Sequence, residues 1–566
     1  MTTERAFATY ESWLNHPGVD EATRSELRAI ADNAKEIEDR FYKDLEFGTG
    51  GLRGVIGAGT NRINRYTVGR ASQGLAQYVR RTAGDQASIV IAHDSRHGSP
   101  EFALEAALVF AGNGLRAYLF ESLRPTPELS FAVRHLGAAA GVVITASHNP
   151  PEYNGYKVYG PDGGQLVTGP ANEVTAEFLA VDPFEDVKRL SREEAEARGL
   201  LKWIGAEIDE AFLQAVASVS VNPEAVRKVA DDFSIVYTPL HGAGNLPVRN
   251  ALAAVGFTRV TVVPEQEHPD PDFSTVKSPN PEEREAFTLA LELAKRANAD
   301  ILIGTDPDCD RMGAVVKNDQ GEYVVLNGNQ AGALMAYYLL SSLREQGRLP
   351  DNGLLIKTIV TGELGAVIAE SFGLTVMNTL TGFKYIGEKM TQYEKTGEYA
   401  YLFGYEESYG YLAGTHARDK DAVVAAVLIC EAAAYYKSQG KTLYGVLLEL
   451  YERYGYYREH LESRTLKGID GVAQIGRIMA DWRDAPPSEM AGVAVSKQLD
   501  YSHGLDGLPK ENVLKFILAD GSWFCLRPSG TEPKIKVYFG VKGQSAEDAE
   551  AKLQRLIPAV MSRVDR

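Results

Sequence analysis

Cysteine is scarce. The 566 residues hold three, Cys309, Cys430 and Cys525, and none form a Cys-x-x-Cys pair or a zinc-ligand spacing. That excludes a disulfide framework and a cysteine-built zinc site, and points to a reducing compartment. Long apolar runs are also missing, and none approaches the ~18 residues of a membrane span, so no membrane partner is expected. The start, Met1-Thr2-Thr3-Glu4-Arg5, continues into acidic polar sequence without a basic segment and an apolar stretch, so a cytoplasmic location is expected. Positive charge is in deficit. With 59 Lys and Arg against 76 Asp and Glu the formal charge is −17, which argues against nucleic acid as the main partner and leaves room for local cationic pockets. Low-complexity tracts are absent, and the densest charge cluster, residues 191–198, reads as a solvated helix face. The remainder, 44% hydrophobic and 24% charged, is ordinary for a soluble globular chain. At ~100–200 residues per domain it holds about four domains.

Periodicity organises what is present. Residues 21–45 have helical spacing and give way to a glycine-dense loop, Phe47-Gly48-Thr49-Gly50-Gly51-Leu52-Arg53-Gly54, whose glycines permit close backbone approach to a ligand. Residues 87–147 alternate apolar runs with helical stretches, a βαβαβ pattern that predicts a mainly parallel sheet. The pattern returns around 233–304 and again around 354–403. A smaller α+β region follows, with strands expected at 513–518, 522–526 and 535–539 and a helix at 546–560. The expected divisions are 1–206, 207–322, 323–445 and 446–566.

Three polar clusters follow apolar strands, where open α/β sheets place ligands. The first is Thr145-Ala146-Ser147-His148-Asn149-Pro150, with Lys157 farther along the same loop. Taken alone, Ser147 reads equally as a nucleophile or as a serine capping a turn. The second is Asp306-Pro307-Asp308-Cys309-Asp310-Arg311, three alternate carboxylates that repel one another unless a hard cation joins them. Magnesium suits this all-oxygen set, and Cys309 is expected to turn away. The third is Tyr405-Glu406-Glu407-Ser408-Tyr409-Gly410, where Glu406 and Ser408 offer partners for vicinal hydroxyls. Much later, Arg527-Pro528-Ser529-Gly530-Thr531-Glu532-Pro533-Lys534 has the ingredients of a phosphate clamp. A serine, a metal loop and a clamp together suggest phosphoryl transfer through a phosphoserine.

These motifs, with Tyr153-Asn154-Gly155-Tyr156-Lys157 and Thr381-Gly382-Phe383-Lys384, resemble in kind and order those of the α-D-phosphohexomutase family. Within it they resemble the phosphoglucomutase branch, which also includes phosphopentomutases. The resemblance implies three consecutive α/β domains with mixed, mainly parallel sheets plus a smaller C-terminal α+β domain, heart-shaped around a central cleft. It implies that Ser147 carries phosphate, that Asp306, Asp308 and Asp310 bind magnesium together with the Ser147 oxygen, and that Arg311 and Arg53 are its electrostatic partners. Lys157 is similar to the family's proposed general acid/base, with His148 as the rival. Lys384, Glu406 and Ser408 would meet the sugar, and Arg527, Ser529, Gly530 and Thr531 the phosphate that is not being transferred. The implied activity is an isomerase interconverting glucose 1-phosphate and glucose 6-phosphate through glucose 1,6-bisphosphate, which also serves as activator. Bacterial phosphomannomutases commonly carry a histidine shortly after the serine of the sugar loop; this chain does not, which favours glucose. A phosphopentomutase or phosphomannomutase using the same residues, an inactive sugar-phosphate binder and a magnesium phosphatase are the rival readings. The expected partner is a small sugar phosphate, and no motif specifies an oligomeric state.

Overall fold

The computed structural model of the chain describes residues 3–47, 50–466, 468–529 and 534–565. Within them the chain forms four sheets. The first joins β1 (Gly51–Val55), β2 (Ser88–His93), β3 (Arg116–Phe120), β4 (Ala140–Ile144), β5 (Tyr153–Tyr159) and β6 (Leu201–Ile204) in the order β1-β5-β4-β2-β3-β6. β4, β2, β3 and β6 are parallel, while β5 returns antiparallel against β4 and β1 lies antiparallel on β5. All five residues of β4 are buried, as suits a parallel strand covered on both faces.

The second sheet joins β7 (Ile235–Thr238), β8 (Val260–Val262), β9 (Ile301–Thr305), β10 (Met312–Lys317) and β11 (Tyr323–Val325) in the order β11-β10-β9-β7-β8. The third joins β12 (Gly353–Thr358), β13 (Thr375–Thr379), β14 (Ala400–Glu406) and β15 (Gly410–Ala413) as β13-β12-β14-β15. The last is antiparallel, with β16 (Tyr456–Thr465), β17 (Glu489–Met490), β18 (Val493–Asp500), β19 (Leu514–Leu518), β20 (Trp523–Pro528) and β21 (Lys534–Gly543) ordered β16-β21-β20-β19-β18-β17.

One local design recurs four times. The Ser147 loop joins β4 to antiparallel β5, the aspartate loop joins β9 to antiparallel β10, the Glu406 loop joins β14 to antiparallel β15, and the Arg527 loop joins β20 to antiparallel β21. Each of the first three loops is thus a hairpin connection pinned by a ladder on both sides, a rigid mount for side chains at one sheet edge, while residues 530–533 of the fourth lie outside the described residues.

Several expectations need correction. Lys157 is on strand β5, in register with Val143, rather than in a loop. Of the glycine segment, residues 51–54 lie on edge strand β1; a Cβ on Gly51 would lie 1.9 Å from the Tyr156 carbonyl oxygen, so the close approach at that residue is to β5. The single helix expected at 21–45 is two, Glu21–Ala29 and Ala34–Phe41, because Asn33 caps the second through its side chain. A further helix, Leu443–Tyr454, leads from the third unit into the fourth.

Helix Ala422–Lys437 is apolar nearly all round and is buried at the join of the second and third units, which share one continuous core. The fourth unit has its own core around Trp482, Phe516 and Phe524. It meets the third through a small cluster that includes Ile359, Leu380, Tyr385, Tyr501 and Trp523. Among the described residues no helix is long and apolar enough to cross a membrane.

Candidate active site

Ser147 stands just beyond β4 with φ 53°, a left-handed conformation unfavourable for a side-chain-bearing residue unless the surroundings impose it. The imposing group is Arg96. Its buried guanidinium donates to the carbonyls of Ser147 (2.5 Å), Pro150 (2.8 Å), Tyr153 (3.1 Å) and Asn149, binding the loop at four points. Asp94 holds Arg96 at 3.2 Å and also accepts from Thr145 Oγ1 at 2.6 Å and Ser99 Oγ at 2.7 Å. Sequence reasoning missed both residues. The signal was there: Asp94-Ser95-Arg96 is itself a polar cluster directly after an apolar strand.

Asp306, Asp308 and Asp310 are buried and converge, with one carboxylate oxygen from each within 4.8 Å of the others. Ser147 Oγ donates to Asp306 Oδ2 at 2.7 Å, so the serine of the first unit reaches the triad of the second. Asp306 Oδ1 accepts from the backbone N–H groups of Asp310 and Arg311 at 3.1 and 3.0 Å. Asp308 Oδ2 accepts from Lys157 Nζ and Thr126 Oγ1, both at 2.8 Å. Asp310 Oδ2 lies 3.1 Å from Lys420 Nζ. Asp308 Oδ1 and Asp310 Oδ1 remain buried without a hydrogen-bond partner. Two orphaned carboxylate oxygens in a hard, all-oxygen cluster fit a magnesium-sized cation. Cys309 adds no ligand: it packs toward Gly244, and burial pushes its thiol well above its ordinary value.

The charges around the triad are coupled. Burial, reinforced by Asp308 and Asp310, pushes the Asp306 carboxyl well above the usual carboxylate range. Burial also works against ionisation of Asp308, yet Lys157 overrides it and holds that carboxyl low. Lys157 in turn resists the effect of burial because Asp308 and Asp310 face it, and it stays above its ordinary value. Lys420 behaves alike beside Asp310 and Asp419, and Asp419 accepts from the Tyr159 hydroxyl at 2.8 Å. Sequence reasoning passed over Lys420, although the cluster Arg418-Asp419-Lys420-Asp421 directly precedes an apolar helix. His148 goes the other way. Burial, then Arg311 and Arg53, hold its imidazole neutral, with Nδ1 3.3 Å from Ser147 Oγ. Arg311 pairs with Glu282, and Arg53 donates to Asn149 Oδ1 at 3.1 Å.

The third unit closes against this centre. Arg311 bridges to Gly410, and Met312 N–H donates to the Tyr409 carbonyl at 3.0 Å, joining the aspartate and Glu406 loops. Glu406 Oε1 accepts the Gly382 N–H at 2.8 Å, and Ser408 is half-buried two residues on. Lys384, in the first turn of helix Phe383–Thr396, is buried, and its pKa is depressed by burial and by Arg527 despite Glu511. Arg527 Nε donates to Glu511 Oε1 at 3.1 Å, and the Ser529 N–H donates to the Lys534 carbonyl at 2.7 Å. Gly530 and Thr531, like Gly48 and Thr49, lie outside the described residues. Lys536 was not singled out from sequence. It pairs in register with Arg527, and its ammonium is depressed by burial and then by Arg527, Lys534 and Arg311.

Relatives carry the same plan. Sequence models of the phosphoglucomutase/phosphomannomutase alpha/beta/alpha domains I, II and III match residues 44–183, 210–321 and 327–454, and that of the family's C-terminal domain matches 467–555. A protein named phosphoglucomutase from Staphylococcus haemolyticus is 38% identical over 537 residues, covering 92% of this chain and 94% of its own length. Its namesake from Staphylococcus aureus is 37% identical over 558 residues, 95% of this chain and 97% of its own. Among solved structures, a Paramecium parafusin (phosphoglucomutase) in an open form superposes with a TM-score of 0.68 at 16% identity, covering 92% and 95% of the two chains. A phosphoglucomutase/phosphomannomutase family protein from Burkholderia thailandensis gives 0.63 at 17%, covering 92% and 96%. With four domain models matched in order over most of its length, this chain belongs to the phosphoglucomutase/phosphomannomutase family.

Proposed function

We propose that the chain is a phosphoglucomutase that interconverts glucose 1-phosphate and glucose 6-phosphate through phospho-Ser147 and glucose 1,6-bisphosphate. The observation that carries the reading is Ser147 Oγ seated 2.7 Å from Asp306 in a buried carboxylate triad. Glucose is the favoured sugar because the relatives named phosphoglucomutase align over nearly the whole chain.

Asp306, Asp308 and Asp310, with the Ser147 oxygen, would hold magnesium, which when bound neutralises charge on the phosphoryl oxygens. Arg311 and Arg53 face the phosphoryl group on Ser147, and the Arg527 loop with Lys384 holds the other phosphate. Glu406 and Ser408 orient the sugar hydroxyls. As the hydroxyl of the sugar attacks phospho-Ser147 it gives up one proton, and Ser147 Oγ takes up one as it leaves. In the resting site His148 is the neutral group able to accept a proton, and Lys157 is the ammonium able to donate one. Glucose 1,6-bisphosphate formed in this way turns over in the cleft and returns its other phosphate to Ser147. The same bisphosphate acts as activator by rephosphorylating a serine that has lost its group. The small contact between the third and fourth units supports opening and closing of the Arg527 loop over the sugar, which excludes water from the phosphoserine. Three buried free thiols support a cytoplasmic setting.

The test is an assay of the purified protein with magnesium and a trace of glucose 1,6-bisphosphate on glucose 1-phosphate, ribose 1-phosphate and mannose 1-phosphate, beside Ser147→Ala. Faster glucose 6-phosphate formation that vanishes in the variant is expected. A preference for ribose or mannose overturns the substrate, sustained phosphate release indicates a phosphatase, and activity surviving in Ser147→Ala sinks the phosphoserine.

A further inference from the structure

A cavity of about 740 Å³ lies behind the aspartate loop, between the first and second units. Its size and its place between domains are those of a small-molecule site. One wall is apolar, from Leu123, Phe212, Leu213 and Val423. The polar part of the lining is short of positive charge. Arg124 donates to Asp209 at 2.6 and 2.9 Å, yet it is also the cation beside Glu121 at 3.8 Å and Glu128 at 4.0 Å, so one guanidinium serves three carboxyl groups. Arg249, also in the lining, is taken by Glu267 at 2.8 Å. Glu128 is 1% exposed, and its Oε1 has no hydrogen-bond partner. Burial, then the hydrogen bond and charge of Asp209, push its carboxyl well above the ordinary range, so it is neutral in the empty cavity and releases its proton to solvent when a cation settles beside it. A buried acceptor left unpaired is costly and takes a donor when one arrives.

We propose that this cavity binds a small organic amine, its ammonium donating to Glu128 among the surplus carboxyl groups and its apolar body lying along Leu123, Phe212 and Leu213. An anion would meet like charge there and is disfavoured.

The site reaches the aspartate loop through both of its walls. Thr126, two residues from Arg124, donates its hydroxyl to Asp308 Oδ2 and its N–H to the Asp308 carbonyl, each at 2.8 Å. On the other side Ala243 N–H donates to the Pro307 carbonyl at 2.8 Å, and a Cβ on Gly242 would come within 2.4 Å of Pro307 Cα. The approach to that contact is strained, with Leu240 and His241 at φ 45° and 61°. An occupant that moves either wall shifts the triad, so the amine and a metal ion at the triad change each other's affinity by the same factor.

Calorimetric titration of the full-length protein with 2-phenylethylamine and with neutral 2-phenylethanol tests the site. The amine should bind saturably, one per chain and about tenfold more tightly than the alcohol. Glu128→Gln keeps the shape and should erase that preference, and Leu246→Trp, at an exposed position of the rim, should weaken both ligands. Magnesium titrated into the amine-saturated protein should bind with a shifted affinity. No saturable binding, equal binding of the two ligands, or a preference that survives Glu128→Gln would overturn the site. An unchanged magnesium affinity would overturn the coupling. None of these readouts depends on which sugar phosphate is turned over.

Discussion

At the Ser147 end of the cleft, Lys157 is matched to Asp308, Lys420 to Asp310, Arg96 to Asp94 and Arg311 to Glu282. At the clamp end, among the described residues, Arg527 pairs with Glu511, Lys384 faces Glu511 and Glu388, and Lys536 lies beside Arg527 and Lys534 with Glu282 opposing them. The lysines register the difference. Lys157 and Lys420 are held above their ordinary value despite burial, whereas Lys384 and Lys536 are held below it. The first cluster is organised before substrate arrives, as a centre that stabilises charge in a transition state should be. In the second, Lys536 is set against Arg527 and Lys534, and under the proposed function a phosphate entering there would relieve that repulsion.

The comparison is tested hardest at Lys157. Lys157→Met strands Asp308 as a buried carboxylate, and in chelator the protein should lose about 3–5 kcal/mol by denaturant titration, with turnover falling about 10²–10⁴-fold. A loss below about 1 kcal/mol would mean that pairing at this end holds nothing in place.

Lys536→Met should behave in the opposite way. The KM for glucose 1-phosphate should rise about 10–100-fold, the loss of one charge-assisted hydrogen bond, while stability stays unchanged or rises slightly. A fall in stability like that of Lys157→Met would erase the distinction between the two ends. The pH profile sharpens it. Phosphate raises lysine pKa values that are depressed in the free protein, so binding is strongest below the free-state value and is lost as pH rises through the bound-state value. The wild-type KM should therefore climb on the alkaline side, less steeply in Lys536→Met.

The smallest effect is expected at the seam between the third and fourth units, where Lys515 Nζ donates to the Ile359 carbonyl at 2.6 Å and Glu459 faces Lys357 and Glu363. Burial pushes the half-buried Glu459 up to about 7 from 4.5, with Arg458 opposing. A raised carboxyl favours folding fully below its unfolded value and loses that contribution as pH rises through its folded value. Wild-type stability should thus fall between about pH 4.5 and 7, and Glu459→Gln should gain up to about 2 kcal/mol above that window, the full shift being discounted for partial exposure. Denaturant titrations at several pH values check this; identical curves would remove the seam from the set of self-opposed charges.

Much of the fold was legible because the three α/β rounds alternate apolar runs with helical spacing, and Ser147, Asp306 and Glu406 directly follow apolar strands. The return strands were harder. Tyr153–Tyr159 contains Asn154-Gly155, which reads as a turn, yet Gly155 is needed there because a Cβ would lie 2.6 Å from the Thr145 carbonyl oxygen. Lys536 was invisible because Lys534, Ile535, Lys536 and Val537 alternate as any half-exposed strand does. Lys420 and Arg96 act on groups from other segments, and those meetings are tertiary facts that spacing along the chain does not encode.

The constraint that Arg96 places on Ser147 also decides how phosphate can reach it. A protein kinase needs its target residue in an accessible, extended segment, and Ser147 is 4% exposed, turned to φ 53° and fastened through its carbonyl to Arg96. Under the proposed function its phosphate would come from a donor small enough to enter the cleft, and the charge state of the protein would then follow the supply of a sugar bisphosphate rather than a signalling enzyme.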